Sequence, residues 1–248
     1  HRDLHSFPTR RSSDLQLGET PKVLSENIAQ VIEFASSGWG SWEYPTSLLG
    51  VIAFIRQGFY DASWYDKTGD ILAKYPDGNE PIQKDRSLES LSRGIGNKQP
   101  FVFRTNNELY IDRSENIADE FELNFWIRGN GYEYRRIDQM PASFMIVPLN
   151  FPGKPEVVDP YQALQYTTEQ LKHWDMAPDN VAKLVAAGFQ VALTGSDLKN
   201  KKDFQKNLSR SINRGLNESD ALAALTTNPA QEFGQSRSDE HTSELQSH

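Results

Sequence analysis

Apolar positions along this chain follow two periods, and the two alternate. Leu48, Leu49, Val51, Ile52, Ile55, Phe59 and Trp64 are mostly at helical spacing, so a helix is predicted from Thr46, with Pro45 just ahead of it. Pro76-Asp77-Gly78-Asn79 supplies the turn residues that end this region. Leu88 and Leu91 mark a second short helix over residues 86–95. Beyond it, short apolar runs at 101–104, 123–128, 143–149 and 189–194 read as strands. Between and after them, residues 108–121, 132–140, 161–174, 179–187, 202–214 and 218–225 read as helices, with Asn217 as an N-cap, and 228–233 as a final turn. Residues 17–45, rich in Gly, Ser, Trp and Pro, read as an irregular loop in which Trp39 and Trp42 either pack the loop or stack on a sugar.

Strands separated by helices predict an α/β fold built from parallel βαβ units. Right-handed crossovers would put the loops after all four strands on one edge. Four units are too few to close an eight-stranded barrel and match half of one. A small flavodoxin-like sheet is the alternative. It lacks a Gly-rich phosphate loop, because Gly129-Asn130-Gly131 has no third spaced glycine.

The two ends change the picture. His5 to Leu15 reads HSFPTRRSSDL and Arg237 to Ser247 reads RSDEHTSELQS. Both resemble in-frame translations of short-read sequencing adapters, the second departing at Asp239, where the adapter frame gives Glu. Their composition alone also suits ordinary disordered tails. The adapter reading makes residues 1–15 and 237–248 non-native and residues 16–236 an internal piece of a longer protein. It also removes four of the five histidines (His1, His5, His241, His248) and leaves His173 on a predicted helix, away from any strand end.

A net charge of −8 argues against nucleic acid as a main partner, since phosphate neutralisation needs clustered Lys and Arg. The one basic run, Lys199-Asn200-Lys201-Lys202, reads as a solvated face at a loop-to-helix junction. With no Cys, disulfides and thiolate chemistry are excluded. No apolar run approaches the ~18 residues of a membrane span.

Candidate chemistry gathers where a strand ends in Thr194-Gly195-Ser196-Asp197, because an acidic residue at the C-terminal end of a barrel strand is where βα-barrel enzymes act. This Gly-Ser-Asp turn is followed by Arg214-Gly215-Leu216, Ala221-Leu222 and Thr226-Thr227-Asn228-Pro229-Ala230. The whole block resembles the end of the metal-dependent amidohydrolases. Phe125-Trp126-Ile127, Gly129 to Tyr134, Pro148 to Pro152 and His173-Trp174-Asp175 are similar to large two-part bacterial members of that family.

The resemblance implies a TIM-like (β/α)8 barrel of the metal-dependent hydrolase type, with this chain supplying about strands five to eight and packing against the missing half. It also implies a parent that hydrolyses C–N bonds other than peptide bonds in a small-molecule substrate. Intact members would use Zn²⁺ or another divalent metal. Neutral imidazoles hold such an ion while an open position activates water, whose pKa falls to about 7.

The family pattern places histidines on strands five and six. Here those positions read Phe103-Arg104-Thr105-Asn106 and Ile127-Arg128-Gly129, and Arg does not ligate a metal. The portion in hand is therefore expected to be a degenerate barrel half without its own metal, with the parent's chemistry in a separate downstream domain. The other reading is a non-catalytic barrel that binds an anionic ligand through Arg104 and Arg128, or scaffolds a catalytic domain. Asp197 is then a retained catalytic base, an ion-pair partner of Arg128 or Arg104, or a cap of the following turn. Glu133 either completes the Arg104–Arg128 cluster or sits solvated in the first turn of its helix.

Overall fold

The structure, a computed structural model, describes residues 27–36, 43–78 and 80–234. The adapter-like ends, Trp39, Trp42 and Asn79 lie outside the described residues. Five strands form one parallel sheet: β1 (Gln30–Glu33), β2 (Phe101–Arg104), β3 (Phe125–Arg128), β4 (Phe144–Pro148) and β5 (Val191–Thr194). They lie side by side in chain order, β1-β2-β3-β4-β5. The helices are α1 (Leu48–Lys74) and α2 (Arg86–Gly96) after β1, α3 (Leu109–Glu120) after β2, and α4 (Pro160–Ala163), α5 (Thr168–Met176) and α6 (Asn180–Ala186) after β4. Then α7 (Asp203–Asn213), α8 (Glu218–Leu225) and α9 (Thr227–Glu232) follow β5.

Alternation along each strand divides the sheet into two unlike faces. Phe101, Phe103, Ile127, Met145, Val147 and Val191 point to one side and pack with Val51, Phe59, Ile111, Ile117, Val181, Leu184 and Ala221 of the helices. Their alternates Val102, Trp126, Phe144 and Ala192 form a separate, smaller cluster that contains no helix residue. Each large side chain buried on the helix-covered face stabilises the fold by about 1.5–3 kcal/mol, so that face carries the core. Chain-order strands with helices on one side exclude the flavodoxin-like alternative, whose strand order reverses and whose helices cover both faces.

Three expectations change. The first is a fifth strand, β1, inside the stretch read as an irregular loop. It reads Gln-Val-Ile-Glu, with only two apolar residues to mark it, and its extended form comes from in-register pairing with β2. The second is the 161–174 helix, which is two: α5 restarts at a capping box in which Thr167 and Gln170 exchange side-chain and backbone hydrogen bonds. The third is the 132–140 helix, which is a pair of 3-10 turns, Glu133–Arg135 and Ile137–Gln139. Helix α1 runs well past Trp64, to Lys74, and starts where the Ser47 side chain accepts from Gly50 N. Asn217 holds the cap position of α8, but its side chain donates to Asp220 rather than capping the backbone.

Candidate functional site at the C-terminal sheet edge

Register puts Glu33, Arg104 and Arg128 opposite one another at the ends of β1, β2 and β3. By strand alternation all three share the helix-free face with Val102 and Trp126. The turn after β5 brings Asp197 to the same place. Arg128 Nη2 lies 2.5 Å from Asp197 Oδ2, and Arg104 Nη2 lies 3.7 Å from Asp197 Oδ1. On its other side, Arg104 Nη1 lies 3.6 Å from Glu33 Oε1. The edge therefore carries an alternating row of charges: Glu33, Arg104, Asp197, Arg128.

The two arginines differ in how they are held. The Arg128 side chain is only 10% exposed. Its Nη1 donates to the Gly129 carbonyl at 2.8 Å, and its Nη2 to Ser196 Oγ at 2.6 Å and to Asp197. This is how a buried guanidinium escapes its desolvation penalty. The Arg104 side chain is 44% exposed, and among the described residues no acceptor stands within hydrogen-bond distance of its guanidinium. Lys201, from the predicted basic run, donates to the Gly195 and Ser196 carbonyls and fixes the turn that presents Asp197.

Glu133 stands apart from this row. It is neither solvated nor paired with an arginine, and it is fully buried. Asn130 N (2.6 Å), Gly131 N (3.0 Å) and Asn180 Nδ2 (2.6 Å) all donate to its carboxylate. The Gly129-Asn130-Gly131 stretch is thus an anion nest that the chain fills with its own carboxylate. Gly129 is required because a Cβ there would run into the Glu133 carboxylate. Gly131 is required because its φ is +94°. By pinning this loop, Glu133 also sets the Gly129 carbonyl that receives Arg128.

His173 is nearer the strand ends than its helix suggested. It stacks on Tyr132, four residues past β3, with ring centroids 3.6 Å apart and planes 11° apart, while Tyr134 Oη lies 3.3 Å from Nδ1. Arg135 Cζ lies over the Tyr132 ring, 4.4 Å from its centroid, and the guanidinium pairs with Glu108 and Glu169. Burial, with the nearby Arg135 charge, holds the His173 pKa down to about 4, so the imidazole is neutral at pH 7. Sequence reading missed this stack, because only the fold brings α5 against the β3 loop.

A metal centre of the amidohydrolase kind is not matched by these donors. Arg104 and Arg128 stand at the ends of β2 and β3, and a guanidinium does not ligate a metal. Among the described residues, no group of three or more His, Cys, Asp or Glu is placed to hold an ion. Two concavities lie elsewhere. One of about 560 Å³ opens at the opposite end of β4 and β5, by Phe144 and Gln190, and another of about 820 Å³ lies beside Trp64 and Leu72 of α1. No described helix is long and apolar enough to cross a membrane.

Comparison with known proteins gives one solved structure. No family model matches the chain, and no curated protein matches it. The crystal structure of an amidohydrolase from Thermotoga maritima MSB8 superposes with a TM-score of 0.59 and 22% sequence identity, over 77% of this chain and 46% of that one. The chain therefore spans about half the length of that protein, and the likeness is one of fold.

Proposed function

We propose that this chain is part of an amidohydrolase-type barrel whose strand-end site is closed by an ion pair in place of a metal, so that it hydrolyses nothing by itself. The chain-order parallel sheet with helices on one face, and the superposition on part of an amidohydrolase, support the barrel portion of this reading. The observation that carries the rest is the 2.5 Å contact between Arg128 and Asp197. Asp197 is the carboxylate that the family resemblance assigns to proton transfer from a metal-bound water. Here the Arg128 guanidinium neutralises it and occupies its oxygen. Zinc loading of the purified chain, followed by dialysis and elemental analysis, tests the proposal. Retention well below one equivalent is expected. About one equivalent, lost on Asp197→Ala, overturns it.

A second reading is favoured by Arg104. Its guanidinium points from the sheet edge with no hydrogen-bond acceptor among the described residues, and a planar fork of N–H donors is what carboxylate recognition uses. In this reading the strand-end row is a binding site for a small anionic molecule in a non-catalytic barrel.

A further inference from the structure

We infer that the Glu33–Arg104–Asp197 row takes a small zwitterion of the α-amino-acid class, with Arg104 as the fork for its carboxylate and Glu33 as the acceptor for its ammonium group. The inference rests on the anion-binding reading of Arg104 and narrows it.

Slack in the row is the first argument. Arg104 has five N–H donors and two flanking carboxylates at 3.6 and 3.7 Å, each just outside hydrogen-bond range. Neither carboxylate closes on it. Asp197 is held by Arg128, and the turn behind it is tied down by Lys201. Glu33 is fixed opposite Arg104 by in-register strand pairing, and Arg104 is its one partner among the described residues. The guanidinium is thus positioned, charged and under-used.

Charge decides the class of ligand. Glu33, Arg104, Asp197 and Arg128 sum to zero. A phosphate dianion placed on Arg104 would lie beside two carboxylates and be repelled by both. A simple carboxylate would leave the row with one excess negative charge, and Glu33 would lose its counter-ion. A molecule that carries a cation next to its carboxylate keeps the balance: the carboxylate takes the Arg104 fork, and the ammonium replaces Arg104 as the partner of Glu33. Val31 lies two residues before Glu33 on the same face and is 43% exposed, so the ligand's side chain would meet an apolar surface. Leucine is therefore a suitable test ligand.

Leucine, acetate and inorganic phosphate are titrated separately into the full chain at pH 7, with the arginine Nε–Hε resonances followed by NMR. Leucine is expected to shift the Arg104 resonance saturably and to bind at least about tenfold more tightly than acetate or phosphate, a difference of about 1.4 kcal/mol. Arg104→Gln should abolish the leucine response, and Glu33→Gln should bring leucine down to the level of acetate. If Arg104→Gln does not fold, Arg104→Lys keeps the charge without the fork and should weaken leucine binding by at least about tenfold. Acetate or phosphate binding as tightly as leucine, with dependence on Arg104, overturns the zwitterion assignment and leaves the anion reading standing. No response to any of the three at tens of millimolar overturns both, and a leucine response that survives Arg104→Gln overturns the site.

Discussion

The two faces of this sheet come from the same four- and five-residue strands, yet they are built on different terms. On the helix-covered face, Phe101, Phe103, Ile127, Met145, Val147 and Val191 are almost wholly buried against six helices. On the helix-free face, a thin apolar layer of Val102, Trp126, Phe144 and Ala192 gives way within two residues to Glu33, Arg104 and Arg128. Phe233, the residue after α9, reaches this second face, with its ring 5.7 Å from Trp126. The main apolar core lies on the first face, and the charged row lies at the edge of the second.

The largest effect that tests this contrast is Phe103→Ala. It removes a fully buried ring from the main core and should cost about 3–5 kcal/mol, measured by denaturant unfolding. Phe233→Ala, on the half-exposed side of the Trp126 contact, should cost under about 1 kcal/mol. Equal costs would mean that the helix-free face is a second core and that the division is wrong.

Next comes Glu133→Ala. It strands three donors, Asn130 N, Gly131 N and Asn180 Nδ2, in a buried pocket and should destabilise the chain by about 2–4 kcal/mol. Glu133→Gln keeps an acceptor oxygen and should recover part of that loss. Thermal melts of the two variants against the wild type check this. A neutral Glu133→Ala would show that the nest does not need its carboxylate.

These residues also show how far the sequence could be read. The strands after residue 100 follow from short, nearly continuous apolar runs and most of the helices from their spacing, whereas 132–140 and 161–174 do not hold as single helices. Strand β1 was not legible, because it depends on pairing with β2 and has only two apolar residues. The meeting of Arg104, Arg128 and Asp197 at one edge was legible, since parallel strands bring their C-terminal ends together. The role of Glu133 was not. Its burial depends on Gly129 and Gly131 permitting a backbone nest and on Asn180 arriving from α6, contacts that no local spacing announces. The family-like segments have structural explanations too. Arg214 ties the end of α7 to Asp175 and Asp179, and Asn228 Nδ2 donates to the Val191 carbonyl at 2.9 Å, returning the C-terminal turn to the base of β5.

The His173 stack gives a pH test of the same contrast, because it buries a titratable group on the loop side of the site. Its folded pKa of about 4 lies below the ordinary 6.5, so between those values the unfolded chain binds a proton that the folded chain refuses. Stability is therefore complete above pH 6.5 and is lost as pH falls toward 4, by on the order of 3 kcal/mol. Unfolding free energies at pH 7 and pH 4.5 should diverge more for the wild type than for His173→Phe, which keeps a ring against Tyr132 and has no proton to bind. Parallel pH profiles would place the acid sensitivity elsewhere.

The smallest effect divides the two arginines. Arg104→Gln should change stability by no more than about 0.5 kcal/mol. Its two ion pairs are long and half-exposed, and such pairs contribute little after screening and side-chain entropy are counted. Arg128→Gln should cost distinctly more, about 2–3 kcal/mol. It removes three hydrogen bonds at a site only 10% exposed and leaves Asp197 without the cation that holds it. Chemical denaturation of both variants under the same buffer gives the comparison directly. If Arg104→Gln proves as costly as Arg128→Gln, the row is a single structural network and Arg104 is not spare for a ligand. If only Arg128 matters, the edge contains one arginine that builds the site and one that the fold can spare, which is the condition any binding role for Arg104 requires.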